Sequence, residues 1–138
     1  AIHRAAGPKL LEECRTLGGC PPGEAQITKG YDLPSRFVIH TVGPIWHGGD
    51  RDEDETLARS YRNSLALAES RGIESIAFPS ISTGAYRFPV DRAAAIAVRE
   101  IREFLSRTTV VQRVEIVCFD DRTFTAYTEA LQRVSGSK

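Results

Sequence analysis

The stretch Ala77-Phe-Pro-Ser-Ile-Ser-Thr-Gly-Ala-Tyr-Arg-Phe-Pro-Val-Asp91 decides the fold of this chain. Residues 75–78, which lead into it, are largely apolar and too few for a helix, so they suit a short buried strand. Ser80, Ser82, Thr83 and Gly84 break the periodicity, and Pro89 opens a helix on which Ala94, Val98, Ile101 and Leu105 share one face. A strand that gives way to a hydroxyl- and glycine-bearing loop and then to a helix is where an α/β fold presents backbone N–H groups to an anion. By composition alone, the same Ser, Thr and Gly residues read equally well as plain turn formers.

The alternation continues outward. Upstream, residues 24–28 alternate polar and apolar side chains like a half-buried strand, and Phe37-Val-Ile-His-Thr-Val42 is a second strand ended by Gly43-Pro44. An acidic run over residues 50–55 suits the first turn of a helix, where carboxylates complement the helix dipole, and Leu57, Tyr61, Leu65 and Ala68 follow at helical spacing. Downstream, residues 114–119 form a strand and Asp120-Asp121 lead into a last helix bearing Phe124, Tyr127, Leu131 and Val134. At the start, residues 1–6 and 8–17 read as two helical pieces separated by Gly7. Long helices alternating with short apolar strands predict a three-layer α/β/α sandwich with a mixed, mostly parallel sheet. Ligands of such sheets sit beyond the carboxyl ends of the strands, which points to Val42, Gly43 and Pro44, to residues 80–88, and to Phe119 with Asp120.

Bulk composition narrows the function classes. With 138 residues, 41% of them hydrophobic, the chain fills one domain and is too short for two ordinary ones. Eighteen basic and eighteen acidic residues leave no net charge, so nothing draws the chain generically to nucleic acid or an anionic membrane. Cys14, Cys20 and Cys118 are odd in number and lack metal-ligand spacing, which argues for a reducing, cytoplasmic setting and against both a disulfide framework and a metal site. No apolar run approaches the roughly 20 residues that a membrane helix needs.

Three motifs, in order and at their separations, resemble the MacroD-type macrodomains: Ala1-Ile-His-Arg-Ala-Ala-Gly-Pro8, His40-Thr-Val-Gly-Pro44 and Phe78-Pro-Ser-Ile-Ser-Thr-Gly-Ala-Tyr-Arg-Phe-Pro89. The resemblance runs to about Leu131 and implies a single macrodomain over residues 1–134 with a tail at 135–138. It implies binding of ADP-ribose or O-acetyl-ADP-ribose and hydrolysis of ADP-ribose esters, either on mono-ADP-ribosylated proteins or as O-acetyl-ADP-ribose deacetylation. A non-catalytic module that binds ADP-ribose or ADP-ribosylated protein is the alternative. No metal, cofactor, membrane or nucleic-acid partner is expected.

Carried over residue by residue, the resemblance places Ser82, Thr83, Gly84, Ala85 and Tyr86 at the diphosphate and distal ribose. It places Phe119 beside adenine and gives His3 a catalytic or supporting role. Asp120 reads either as a base or ribose contact or as a helix cap, His40 as structural and His47 as an exposed loop residue. The chain has no initiator Met, and in related proteins an Asn-Ala-Ala-Asn segment, a glycine run and a Val-Asp-Gly precede the position of Ala1, after the first strands. The natural start is therefore expected upstream, and the given chain is expected to lack those strands and the glycine-rich loop. Arg87 stands where the family most often has Gly, which permits a positive φ and close approach. Arg87 is expected either to point outward with little effect or to reach a phosphate bidentately.

Overall fold

The computed structural model describes residues 8–9 and 20–136. Within residues 20–136 seven elements follow one another: β1 (Ala25–Lys29), β2 (Phe37–Thr41), α1 (Glu53–Ser70), β3 (Ser75–Pro79), α2 (Val90–Leu105), β4 (Arg113–Val117) and α3 (Asp121–Gly136). Helices and strands alternate from β2 onward, as an α/β sandwich requires. The strands form two pairs. β1 and β2 are antiparallel, with Ile27 opposite Ile39, and β3 and β4 are parallel, with Ser75 opposite Arg113 and Pro79 opposite Val117. Because β3 and β4 run in register and in the same direction, the segments after Pro79 and Val117 leave the sheet side by side.

α1 buries the whole face predicted by its periodicity, whereas α2 leaves Leu105 exposed and α3 buries only Tyr127 of its predicted face. On α1, Leu57, Ala58, Tyr61, Leu65 and Ala68 are fully buried, at spacings of three and four residues. Burial of one such leucine contributes about 1.5–3 kcal/mol. On α2, Ala94, Ala97 and Val98 pack into the same core, and α1 and α3 both lie against this helix. Tyr127, Ala126 and Ala130 represent α3 in the core. The apolar face expected there is only partly closed. Phe124 is 63% and Leu131 56% exposed, because with Leu105, Val114 and Ile116 they line an apolar groove of about 430 Å³ between α2, β4 and α3.

The acidic run places Glu53, Asp54 and Glu55 in the first turn of α1, as expected, but two of its members depart from a plain dipole role. Asp52, at the helix N-cap, has φ 58° and makes no side-chain capping bond. Glu53 is not a solvated dipole partner but is 2% exposed, with its carboxylate folded back on the preceding loop. Strand boundaries shift by a residue or two: β1 runs to Lys29, β2 stops at Thr41 and β4 stops at Val117, leaving Phe119 beyond its end. No described helix is long and apolar enough to cross a membrane. His3 and most of the two N-terminal helical pieces lie outside the described residues, as do the last two residues of the tail.

Candidate active site

Residues 80–88 leave the carboxyl end of β3 as a compact loop rather than an open one. Its two ends are pinned by Phe88 N–H donating to Ser82 O at 2.9 Å, and its middle by Arg87 N–H donating to Gly84 O at 3.0 Å. Ser82 and Arg87 take left-handed conformations, with φ 67° and 63°, whereas Gly84 does not. Arg87 therefore occupies the positive φ that the glycine of the resembling pattern would take, and the loop folds there without one. This costs on the order of 1 kcal/mol, offset by the bonds that hold the turn. The Arg87 side chain is exposed, in keeping with the outward reading. Gly84 faces open space, and an added Cβ there would meet nothing within 4 Å. Gly84, Ala85, Tyr86 and Arg87 are exposed together, and Phe88 turns back into the core.

Beneath this rim lies a hydroxyl network supplied by two helices. The Tyr61 hydroxyl of α1 accepts the Ile81 backbone N–H at 3.3 Å and lies 3.3 Å from the Tyr127 hydroxyl of α3. Tyr127 in turn is 3.0 Å from Ser80 Oγ, and Thr83 donates to Ser80 Oγ at 2.8 Å. Burial pushes Tyr61 well above its usual range, and the neighbouring Tyr127 adds to the effect. Burial likewise raises Tyr127, although bonds from Ser80 and Tyr61 oppose it. Both hydroxyls thus remain neutral donors and acceptors at any ordinary pH, so the network cannot lose a proton and collapse.

The segment after β2 meets this loop directly. Gly43 is buried against Ile81 and Ser82: a Cβ built on Gly43 would lie 2.5 Å from Ile81 Cγ2 and closer still to Ser82 Oγ. Val42 and Pro44 flank the contact, with Val42 O accepting from Gly23 N–H at 2.8 Å. Three residues on, Trp46 N–H donates to Tyr86 O at 2.8 Å, and the Trp46 ring packs 4.8 Å from Phe88. Val42, Gly43 and Pro44 are therefore brought together with Ser82, Thr83, Gly84, Ala85, Tyr86 and Arg87.

The last pair of predicted residues divides. Asp120 Oδ1 accepts Thr123 N–H at 2.8 Å, so Asp120 takes the capping role at α3, and this bond, with the Thr123 side chain, lowers its pKa. Phe119 is 88% exposed, on the segment that leaves β4 beside the one leaving β3. His40 is structural, with Nε2 2.9 Å from Thr28 Oγ1, and His47 is exposed. Burial, followed by the negative charge of Asp120, pushes the Cys118 thiol up, which makes it a poor nucleophile.

Sequence reasoning missed the residues that support the loop from below. Tyr61 and Tyr127 register in the helical pattern only as apolar positions, and their hydroxyls meet only once α1 and α3 are packed beside residues 80–81. Glu53 was hidden within an acidic run. Its one distinguishing signal was the Gly48-Gly49 pair just ahead of it, which lets backbone N–H groups turn toward a single carboxylate.

The Macro domain family model matches residues 1–97. A macro domain-containing protein of Chlorobaculum tepidum is 60% identical over 131 residues, covering 95% of this chain and 76% of the relative. An O-acetyl-ADP-ribose deacetylase of Klebsiella pneumoniae is 55% identical, covering 95% of this chain and 77% of that protein. Among solved structures, the Oceanobacillus iheyensis macrodomain with ADP superimposes with a TM-score of 0.92 at 45% identity, over 99% of this chain and 75% of that one. The Trypanosoma brucei macrodomain in complex with ADP-ribose gives 0.87 at 40% identity, over 94% of this chain and 54% of that one. The motifs, the fold and these likenesses agree, and the chain belongs to the Macro domain family.

Proposed function

We propose that this chain binds ADP-ribose and acts as an ADP-ribosyl ester hydrolase, deacetylating O-acetyl-ADP-ribose or removing ADP-ribose from acidic side chains of mono-ADP-ribosylated proteins. The observation that carries the reading is the bare, exposed rim of residues 84–87. It stands at the carboxyl end of a parallel strand pair and is braced from below by neutral hydroxyls. A diphosphate needs several N–H donors and a backbone that it can approach closely, and the exposed backbone of residues 84–86 suits that need. The relative named as an O-acetyl-ADP-ribose deacetylase supports the ester linkage as substrate. Phe119, a flat apolar ring open to solvent beside the same strand ends, suits adenine.

Under this reading the rim fixes the diphosphate and distal ribose while water attacks the ester, and the protein works by positioning and electrostatics. Two assays test it: acetate release from O-acetyl-ADP-ribose, and free ADP-ribose release from a mono-ADP-ribosylated protein. Turnover in either supports the hydrolase. Saturable ADP-ribose binding with no release in either overturns it in favour of a non-catalytic binding module.

A further inference from the structure

Glu53 is the most buried carboxylate among the described residues, and it forms no described ion pair. Its two oxygens instead accept three backbone N–H groups: Oε2 those of His47 at 2.8 Å and Gly49 at 3.0 Å, and Oε1 that of Arg51 at 2.6 Å. Gly48 and Gly49 have φ 97° and 95°, which only glycine adopts readily, and the loop they build wraps around the carboxylate. Burial on its own raises the pKa of Glu53, but the N–H groups of His47, Arg51 and Gly49 outweigh it and hold the pKa at about 2. The carboxylate is therefore an anion at ordinary pH, and residues 47–51 are wound around it.

The wound loop also holds Trp46. An added Cβ on Gly49 would meet the Trp46 ring at 3.1 Å. From above, the Arg92 guanidinium lies 5.2 Å from that ring while making two bonds of 2.8 and 2.7 Å to Asp54, the residue after Glu53. Trp46 is thus clamped between loop and helix, and two further contacts go to the candidate site, through N–H to Tyr86 O and through ring packing on Phe88.

From this geometry we infer that Glu53 is a positioning residue for ADP-ribose binding: through the 47–51 loop and Trp46, its carboxylate sets the placement of Tyr86 and the rim beside it. The inference rests on the ADP-ribose reading above. Glu53→Gln keeps the shape but turns an NH₂ group toward at least one backbone N–H, so the loop loses its hub.

The test compares Glu53→Gln with Val111→Ala, a core truncation at a 4% exposed residue that loses stability without touching this chain of contacts. Trp46 is the sole tryptophan, so its emission reports the clamp directly. Glu53→Gln is expected to shift that emission toward the red and to weaken ADP-ribose binding about tenfold, within the range of couplings between linked sites. Val111→Ala should leave both unchanged. Unchanged emission, or an affinity loss matched by Val111→Ala, overturns the inference.

Should Glu53→Gln fail to fold, the unmodified protein decides by reciprocity. ADP-ribose should slow hydrogen exchange at the His47, Gly49 and Arg51 amides, and binding that leaves them unchanged overturns the inference. Should ADP-ribose not bind at all, the ligand reading falls by itself. Exchange at the Trp46 and Phe88 amides in folded Glu53→Gln then decides the positioning claim: faster exchange upholds it and equal exchange overturns it.

Discussion

Replacing Tyr61 by Phe isolates the hydroxyl that ties the candidate rim to the core. The ring is 0% exposed and packs 5.0 Å from Phe78 at a 54° tilt. Phe retains that contact and leaves a gap of only one oxygen. What disappears is the acceptor for Ile81 N–H and the partner of the Tyr127 hydroxyl, both at 3.3 Å. A typical intramolecular hydrogen bond contributes about 1 kcal/mol net, and a buried N–H left unpaired costs about 1–3 kcal/mol. Both contacts are long, which puts each toward the weaker end. Tyr127 also keeps its 3.0 Å contact with Ser80. The expected loss is about 1–2 kcal/mol, read by urea denaturation, or roughly 3–10 °C in Tm for a domain of this size. Since burial raises the folded pKa of Tyr61 above the unfolded one, its contribution is complete below about pH 10 and fades as pH climbs above that. The gap between the two proteins should therefore be constant from pH 6 to 9 and shrink in stronger alkali. A loss below about 0.5 kcal/mol, the scatter of ordinary surface changes, would refute the network as a brace.

Further outcomes follow from the same contacts. Gly43→Ala drives a methyl into Ile81 and Ser82; stability should fall by about 1–3 kcal/mol, and ADP-ribose affinity, measured by calorimetry, should fall with it. Glu53 has its folded pKa lowered from 4.5 to about 2, so its stabilisation is complete above pH 4.5 and is lost as pH drops toward 2; Tm followed between pH 6 and 2.5 should fall more steeply in the unmodified protein than in Glu53→Gln. Arg87→Gly removes a side chain from a φ of 63° and should raise stability by about 0.5–1 kcal/mol. ADP-ribose affinity should stay unchanged in that variant, and a tenfold or larger change in either direction would refute an outward Arg87 with little effect.

The alternation of strands and helices was legible because each helix repeats its apolar residues at three and four, and because residues 75–78 and 114–119 are apolar runs too short for helices. Gly43 and the 80–88 loop were linked in the sequence only through the rule that ligands gather beyond strand ends, and the structure shows the two segments in contact. Other features lay out of reach for physical reasons. A tyrosine on a buried helix face carries the same periodic signal whether or not its hydroxyl has a partner, so Tyr61 and Tyr127 looked like bulk apolar residues. Asp120 fitted a cap and a ligand contact equally until Thr123 N–H was placed against it. Glu53 sat in a run of acids whose usual place is solvent, and only the fold of the preceding loop singles it out. Arg87 shows the reverse: local propensity favours glycine at a positive φ, and the bonds closing the turn override it.

The central claim is that the loop of residues 82–87, with Gly43 behind it, holds the diphosphate and distal ribose of ADP-ribose. Titration calorimetry of the purified protein with ADP-ribose, repeated with Gly43→Ala, tests this most directly. Saturable binding of one ADP-ribose per chain, weakened by Gly43→Ala, is the predicted result. An absence of saturable binding, or an affinity indifferent to that added methyl, would contradict it.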